Sequence, residues 1–349
     1  MGISSTFFGR MPDGQEVKRF TLENPQGFRA EVITYGARIT NIWTPDRNGT
    51  AADVIWGYDT LEEYRTPRDS QGAIIGRYAG LIRDAHITID GQFYSLVQNA
   101  GRHQLHGGTG TGACFSEKVW TVESVEDGDA PQLTLSLDSL DGEGGYPGNL
   151  HVQVSYTVTT DSMLRIRYRA VCDKDTAINL TSHCFFNLNG CDGASIHHQK
   201  LWVRACGYTV TDGESIPTGE ILPVTDTPFD FQESKTLGRD ISGLAKGYNH
   251  NLVLSSSEID CPLVASLYDP DSGRKMDVYT DQPGLQIYTA GGIPPGKRGK
   301  HGMLMRPQGA ICLETQHFPD SVHQPHFPST ILRAGEIFGS TTVYGFGIQ

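Results

Sequence analysis

The chain has 349 residues, with 28 Lys and Arg against 40 Asp and Glu, a formal net charge of −12 at pH 7. That sign argues against a nucleic-acid partner, which needs a basic face. Hydrophobic residues make up 38% and charged residues 19%, a globular balance in a chain long enough to bury a core without disulfide staples.

Taken in chain order, the predicted elements are mostly strands. Asp59 to Arg65 has the spacing for one or two helical turns, and no longer stretch sustains a helical period. Ile87 and Ile89, then Asp90-Gly91, then Phe93 predict a tight hairpin with a primed turn. Leu133, Leu135 and Leu137 alternate with polar residues. Val152, Val154, Tyr156 and Val158 repeat that pattern, Thr160-Asp161-Ser162 reads as a turn, and Leu164, Ile166, Tyr168 and Ala170 return it. Arg165, Arg167 and Arg169 fill the alternate positions, so this hairpin has one apolar and one cationic face. The 41 glycines and 18 prolines supply the turns that many short strands need. The expected architecture is all-β, one domain over residues 1–349, with too many strands for one flat sheet and hence stacked sheets.

Seven cysteines without a C-x-x-C pair argue against both a disulfide framework and a thiolate zinc cage. No apolar run is long enough for a membrane helix, and the N-terminal segment lacks a signal-peptide pattern. A cytoplasmic location is the expectation, with no membrane partner. No dinucleotide fingerprint, phosphate-binding loop, H-E-x-x-H or G-x-S-x-G occurs. Chemistry must then rest on acid–base side chains, or the chain only binds. His106, His183, His250, His317, His323 and His326 lie in polar, turn-rich settings. His323 and His326 occupy a Pro-bounded loop with no helical face to hold a metal. Glu314 follows the apolar run Ile311-Cys312-Leu313, and a carboxylate ending such a strand is partly desolvated, which raises its pKa and suits it to act as a base near neutrality.

Gly76-Arg77-Tyr78-Ala79, Leu105-His106-Gly107-Gly108, Asp141 to Asn149, Asn179 to Gly190, Asp212 to Gly219, Gly247 to Asn251, Gln286-Ile287-Tyr288-Thr289 and Leu313-Glu314-Thr315-Gln316 occur in an order that resembles the aldose 1-epimerase (galactose mutarotase) family. The resemblance implies a β-supersandwich with an open sugar-binding cleft, interconversion of the α and β anomers of an aldose, and no metal or organic cofactor. It implies Glu314 as the base that takes the C1 hydroxyl proton and His183 as the acid that protonates the ring oxygen. Substrate contacts are expected from His106, Gln286, Asn249 and Arg77.

Several positions depart from the family pattern, among them Ala290-Gly291-Gly292, which follow Tyr288-Thr289 where the family usually continues Gly-Asn. Gly80 and Leu81 stand where the family has Asn and Arg, and Asn249 replaces a sugar-binding carboxylate. Arg83, two residues beyond Leu81 along an extended segment, is a candidate to replace the missing guanidinium. The functional readings are a sugar mutarotase, an enzyme of the same fold using His183 and Glu314 on another, less polar cyclic substrate, and a non-catalytic carbohydrate-binding protein. The partner in each case is a small molecule, and the expected assembly is a monomer or homodimer.

Overall fold

A computed structural model describes residues 2–66, 70–192 and 195–349. Strands account for 46% of the chain and helix for 7%, so the all-β expectation holds. Three sheets carry the architecture. The first, of five strands, runs through Gly2–Arg10, Glu16–Glu23, Arg29–Ile33, Arg38–Pro45 and Ala51–Asp53 in sequence order. The largest has nine strands in the spatial order Thr121–Glu126, Gln132–Ser139, Leu150–Val158, Met163–Cys172, Ile337–Ile348, Arg274–Thr280, Leu263–Tyr268, Lys200–Val203 and Lys235–Thr236. The third, which builds the site, orders Pro217–Pro223, Ala205–Thr211, Asn249–Leu254, Gly284–Tyr288 and Cys312–Gln316, all antiparallel.

The alternation read from the sequence is the reason for the large sheet. Val152, Val154, Tyr156, Val158, Leu164 and Ile166 are fully buried, whereas Arg167 and Arg169 are exposed. Each such apolar side chain contributes about 1.5–3 kcal/mol on leaving water. The two strands pair in register from Leu150–Cys172 to Val158–Leu164. One contiguous core takes Leu22 and Val32 from the first sheet, Val154 and Ile166 from the largest, and Leu252, Leu285 and Leu313 from the third. This stacking is the β-supersandwich.

The expected hairpin and the expected helical turn are both present. His86–Ile89 and Gln92–Ser95 form a hairpin. Its turn residues Asp90 and Gly91 both have positive φ, 49° and 80°, the conformation a primed turn requires. The predicted helical stretch is one turn, Leu61–Tyr64, opened by a reciprocal Thr60–Glu63 capping box. All seven cysteines are free thiols. Among the described residues no helix is long and apolar enough to cross a membrane.

Candidate active site

The cleft sheet presents one face to a cavity of about 600 Å³, within the usual range for a small-molecule site. Side chains two apart on a strand share a face. Asn249 and Asn251, Gln286 and Tyr288, and Glu314 and Gln316 therefore all line the cavity. The register stacks them across strands: Asn251 opposes Gln286, which opposes Glu314, and Asn249 opposes Tyr288, which opposes Cys312.

His183 reaches the same cavity from a different part of the chain. It follows the short strand Thr181–Ser182, and Phe186 just beyond it bridges to Ile311. That bridge lays the His183 segment along the strand that carries Glu314. His183 Nε2 lies 3.8 Å from Glu314 Oε1, with the two side chains 8% and 3% exposed. The acid and base candidates, 131 positions apart in sequence, meet across one cleft. Phe185 stacks on the imidazole with ring centroids 5.0 Å apart, and Tyr288 meets it edge-on at 6.2 Å. Cys312 Sγ lies 3.5 Å from His183 Nδ1.

Burial sets the electrostatics. Glu314 sits inside its strand rather than at the end of it, and is 2% exposed. The expected partial desolvation is thus nearly complete, and it raises the carboxyl to about 8. His106 stands edge-on to His183, with centroids 5.3 Å apart. Burial first, and the charge of His183 second, hold His106 down at about 3, so it is neutral. Its Nδ1 accepts a hydrogen bond from the Gly80 amide, which leaves the ring proton on Nε2 as a donor. Gln286 Nε2 donates to Asn249 Oδ1 over 2.8 Å. Burial likewise drives the Cys312 thiol far above its usual range, so it keeps its proton.

His183, Cys312 and Glu314 offer donor atoms within 4.8 Å of one another, as do His198, Asp269 and Asp271 elsewhere on the chain. A metal at the first trio would need a thiolate, which its burial opposes. His323 and His326 do not converge. His323 Nδ1 pairs with Asp320 and His326 Nε2 with the Gly219 carbonyl, each over 2.7 Å.

Two expected contacts fall outside the cavity. Arg77 is 2% exposed and spends its guanidinium on Ser139 Oγ, Thr176 Oγ1 and the carbonyls of Ser139, Leu140 and Pro147. It braces loops behind the site and corrects the reading of it as a substrate ligand. Arg77→Lys, which cannot satisfy that fan of acceptors, is expected to lower stability by about 1–3 kcal/mol while the substrate KM stays unchanged. Urea unfolding and kinetics on the same preparation check both halves. Arg83 is the second correction. Its strand is only Leu81–Ile82, and Arg83 opens a 3-10 turn, so the period-two argument fails one residue too soon. Its side chain clasps Asp212, the Pro217 carbonyl and Asp320 instead. Gly80 and Leu81 do line the cavity, and no arginine from either expectation takes their place.

The cavity also contains residues that the motif reading did not single out: Thr209, Asn251 and Gln316 on the cleft sheet, Gln71 and Phe185, and Lys246 and Lys297. Asn251 and Gln316 were within reach, since each lies two positions beyond a named site residue on the same strand face.

A neutral imidazole donor, a buried carboxyl facing a histidine and a lining of amides describe a site for moving protons on a polyhydroxylated ring. This is the kind of site an isomerase of sugars needs. A family model described as aldose 1-epimerase matches residues 18–345. The galactose mutarotase of Sus scrofa is 36% identical over 350 residues, covering 100% of this chain and 99% of that one. The aldose 1-epimerase of Escherichia coli K12 is 33% identical, with 96% of each chain covered. The crystal structure of an aldose epimerase homologue from C. elegans superposes with a TM-score of 0.87 at 28% identity over 99% of both chains. The chain belongs to the aldose 1-epimerase family, whose members are isomerases.

Proposed function

We propose that this chain interconverts the α and β anomers of a free hexose, with Glu314 as base and His183 as acid, within a single domain spanning residues 1–349. The observation that carries the reading is the 3.8 Å approach of His183 Nε2 to Glu314 Oε1 on the wall of a cavity lined by amides. Galactose mutarotases among the relatives support a hexose as substrate.

The chemistry follows from these groups. Glu314 takes the C1 hydroxyl proton as the electron pair on that oxygen forms the aldehyde and the bond from C1 to the ring oxygen breaks. His183 Nε2 delivers a proton to the departing ring oxygen, which becomes a hydroxyl. The aldehyde turns about the C1–C2 bond. On closure His183 recovers its proton from that hydroxyl as its oxygen attacks the other face of C1, and Glu314 returns its own proton to the former carbonyl oxygen. Every proton is back where it began. Neutral His106 donates from Nε2 to a substrate oxygen without adding charge. The Cys312 thiol can donate to His183 Nδ1 or accept from it, so it stays paired with the ring on both sides of the transfer and steadies its orientation. Gln286, fixed by Asn249, presents an oriented amide to the hydroxyls.

Among the described residues Glu314 is the only carboxyl group lining the cavity, and Asn249, Asn251, Gln71, Gln286 and Gln316 line it with neutral amides. With Leu81 also in the wall, these amides suit the hydroxyls of a sugar, and the cations lining the same cavity are Lys246 and Lys297. The test is polarimetry of freshly dissolved α-aldoses across a panel that includes glucose and galactose. Decay of rotation faster than in buffer alone is the expected result. A match to buffer for every aldose in the panel would sink the reading.

A further inference from the structure

Away from the His183–Glu314 pair, the cleft sheet holds a row of buried polar groups that find no partners among the described residues. Thr209, Asn251 and Gln316 are 1%, 2% and 1% exposed, and all three line the cavity. Thr209 Oγ1, both side-chain polar atoms of Asn251 and both of Gln316 have no hydrogen-bond partner among the described residues. Buried polar atoms are normally paired, and leaving a group of them unpaired opposes folding. Five such atoms in one place are therefore kept for something that enters from the cavity.

The register explains why they gather. Thr209 lies one residue past the Tyr208–Leu252 pair, level with Asn251. Gln316 opposes Gly284, which opposes Val253, two residues beyond Asn251 on the next strand. Gly284 is what makes the space: a Cβ there would stand 2.6 Å from Asn251 Oδ1 and 2.9 Å from Phe318 Cδ1. Gln316 is two residues beyond Glu314 on the same strand face, about 7 Å along it, on the side away from Cys312 and His183.

We propose that Thr209, Asn251 and Gln316 form a hydroxyl-binding subsite that grips a substrate hydroxyl remote from the His183 side of the ring. Primary amides offer both donors and an acceptor, and so does the threonine hydroxyl. A hydroxyl, which donates once and accepts twice, matches that set. A carboxylate or phosphate does not, since the row holds no cation. The subsite thus selects a hydroxyl at this end of the ligand and helps decide which hydroxyl pattern is turned over. This inference rests on the anomer-interconversion reading above.

The test compares kcat/KM for the aldose turned over best with that for each of its single-deoxy analogues. In wild type, one analogue should fall about five- to tenfold below the parent sugar, the loss expected for a missing hydrogen bond into a site built to receive it. In Asn251→Ala, Gln316→Ala and the near-isosteric Thr209→Val, that parent-to-analogue ratio should collapse toward one, while the ratios for the other analogues persist. Thr209→Val keeps the volume of the site, so the comparison survives a folding defect in either alanine variant. An unchanged ratio in all three variants, or a uniform loss on every sugar, overturns the subsite and leaves water or a purely structural role as its occupant. Wild type inert toward every aldose overturns the underlying reading instead, so the two failures are told apart.

Discussion

Glu314→Gln is expected to lower kcat for anomer interconversion by about 10²–10⁴, the span that a positioned general base supplies, with little change in KM. The substitution keeps the shape of the side chain and its place in the strand Cys312–Gln316, so it removes proton transfer and little else. The pH profile adds a signature that misfolding would not produce. Burial lifts the carboxyl to about 8, and the base works only when ionised. Below that value the ionised fraction rises about tenfold per pH unit, so wild-type kcat/KM, which reports the free enzyme, should climb with pH on its acid side, and it should turn down again where His183, which must carry a proton to act as the acid, loses it. The glutamine variant, having no group to ionise there, should lose the rising limb. Stopped polarimetry at closely spaced pH values checks both. A wild-type profile that is flat through this range, or a variant that retains the rise, assigns the base elsewhere.

His183→Asn is the companion experiment, with an expected loss of about 10²–10³ in kcat. Asparagine can still hydrogen-bond but cannot hand a proton to a departing ring oxygen. The cost to the fold is real and separable. The imidazole stacks on Phe185 and touches Cys312, so a lower melting temperature should accompany the kinetic loss. The distinguishing measurement is binding: calorimetric titration with a slowly reacting sugar should show affinity retained within a fewfold. Loss of affinity on the scale of the kinetic defect would make His183 a scaffold for the cavity and not its acid.

The sequence made the sheet architecture readable because burial there follows a strict period of two. Val152 to Val158 and Leu164 to Ala170 carry that period without interruption, and it survives in the structure residue for residue. The acid–base pair was readable only through motif resemblance, since no local pattern announces that residues 183 and 314 share a wall. That fact belongs to the bridge between Phe186 and Ile311. Arg83 misled because an extended segment was assumed to continue, whereas the chain turns at residue 83 and redirects the side chain toward Asp212 and Asp320. Arg77 misled for a different reason. A motif arginine reads as a ligand, yet full burial against five acceptors makes it a brace. Asn251 and Gln316 follow from named site residues by the period of two along their strands, whereas nothing in the sequence marks Thr209, and that all three lack partners among the described residues shows only once their neighbours are in place.

The strand Ile337–Ile348 joins the two halves of the nine-stranded sheet, hydrogen-bonded on one side to Met163–Cys172 and on the other to Arg274–Thr280. Its partners come from regions far from it and from each other along the chain, so the loops that must close before it can zip into place are long. Such topology makes the search for the native pairing slow relative to proteins built from local contacts. Until that strand seats, each half-sheet presents a bare hydrogen-bonding edge, which leaves the partly formed molecule exposed to joining with another copy of itself.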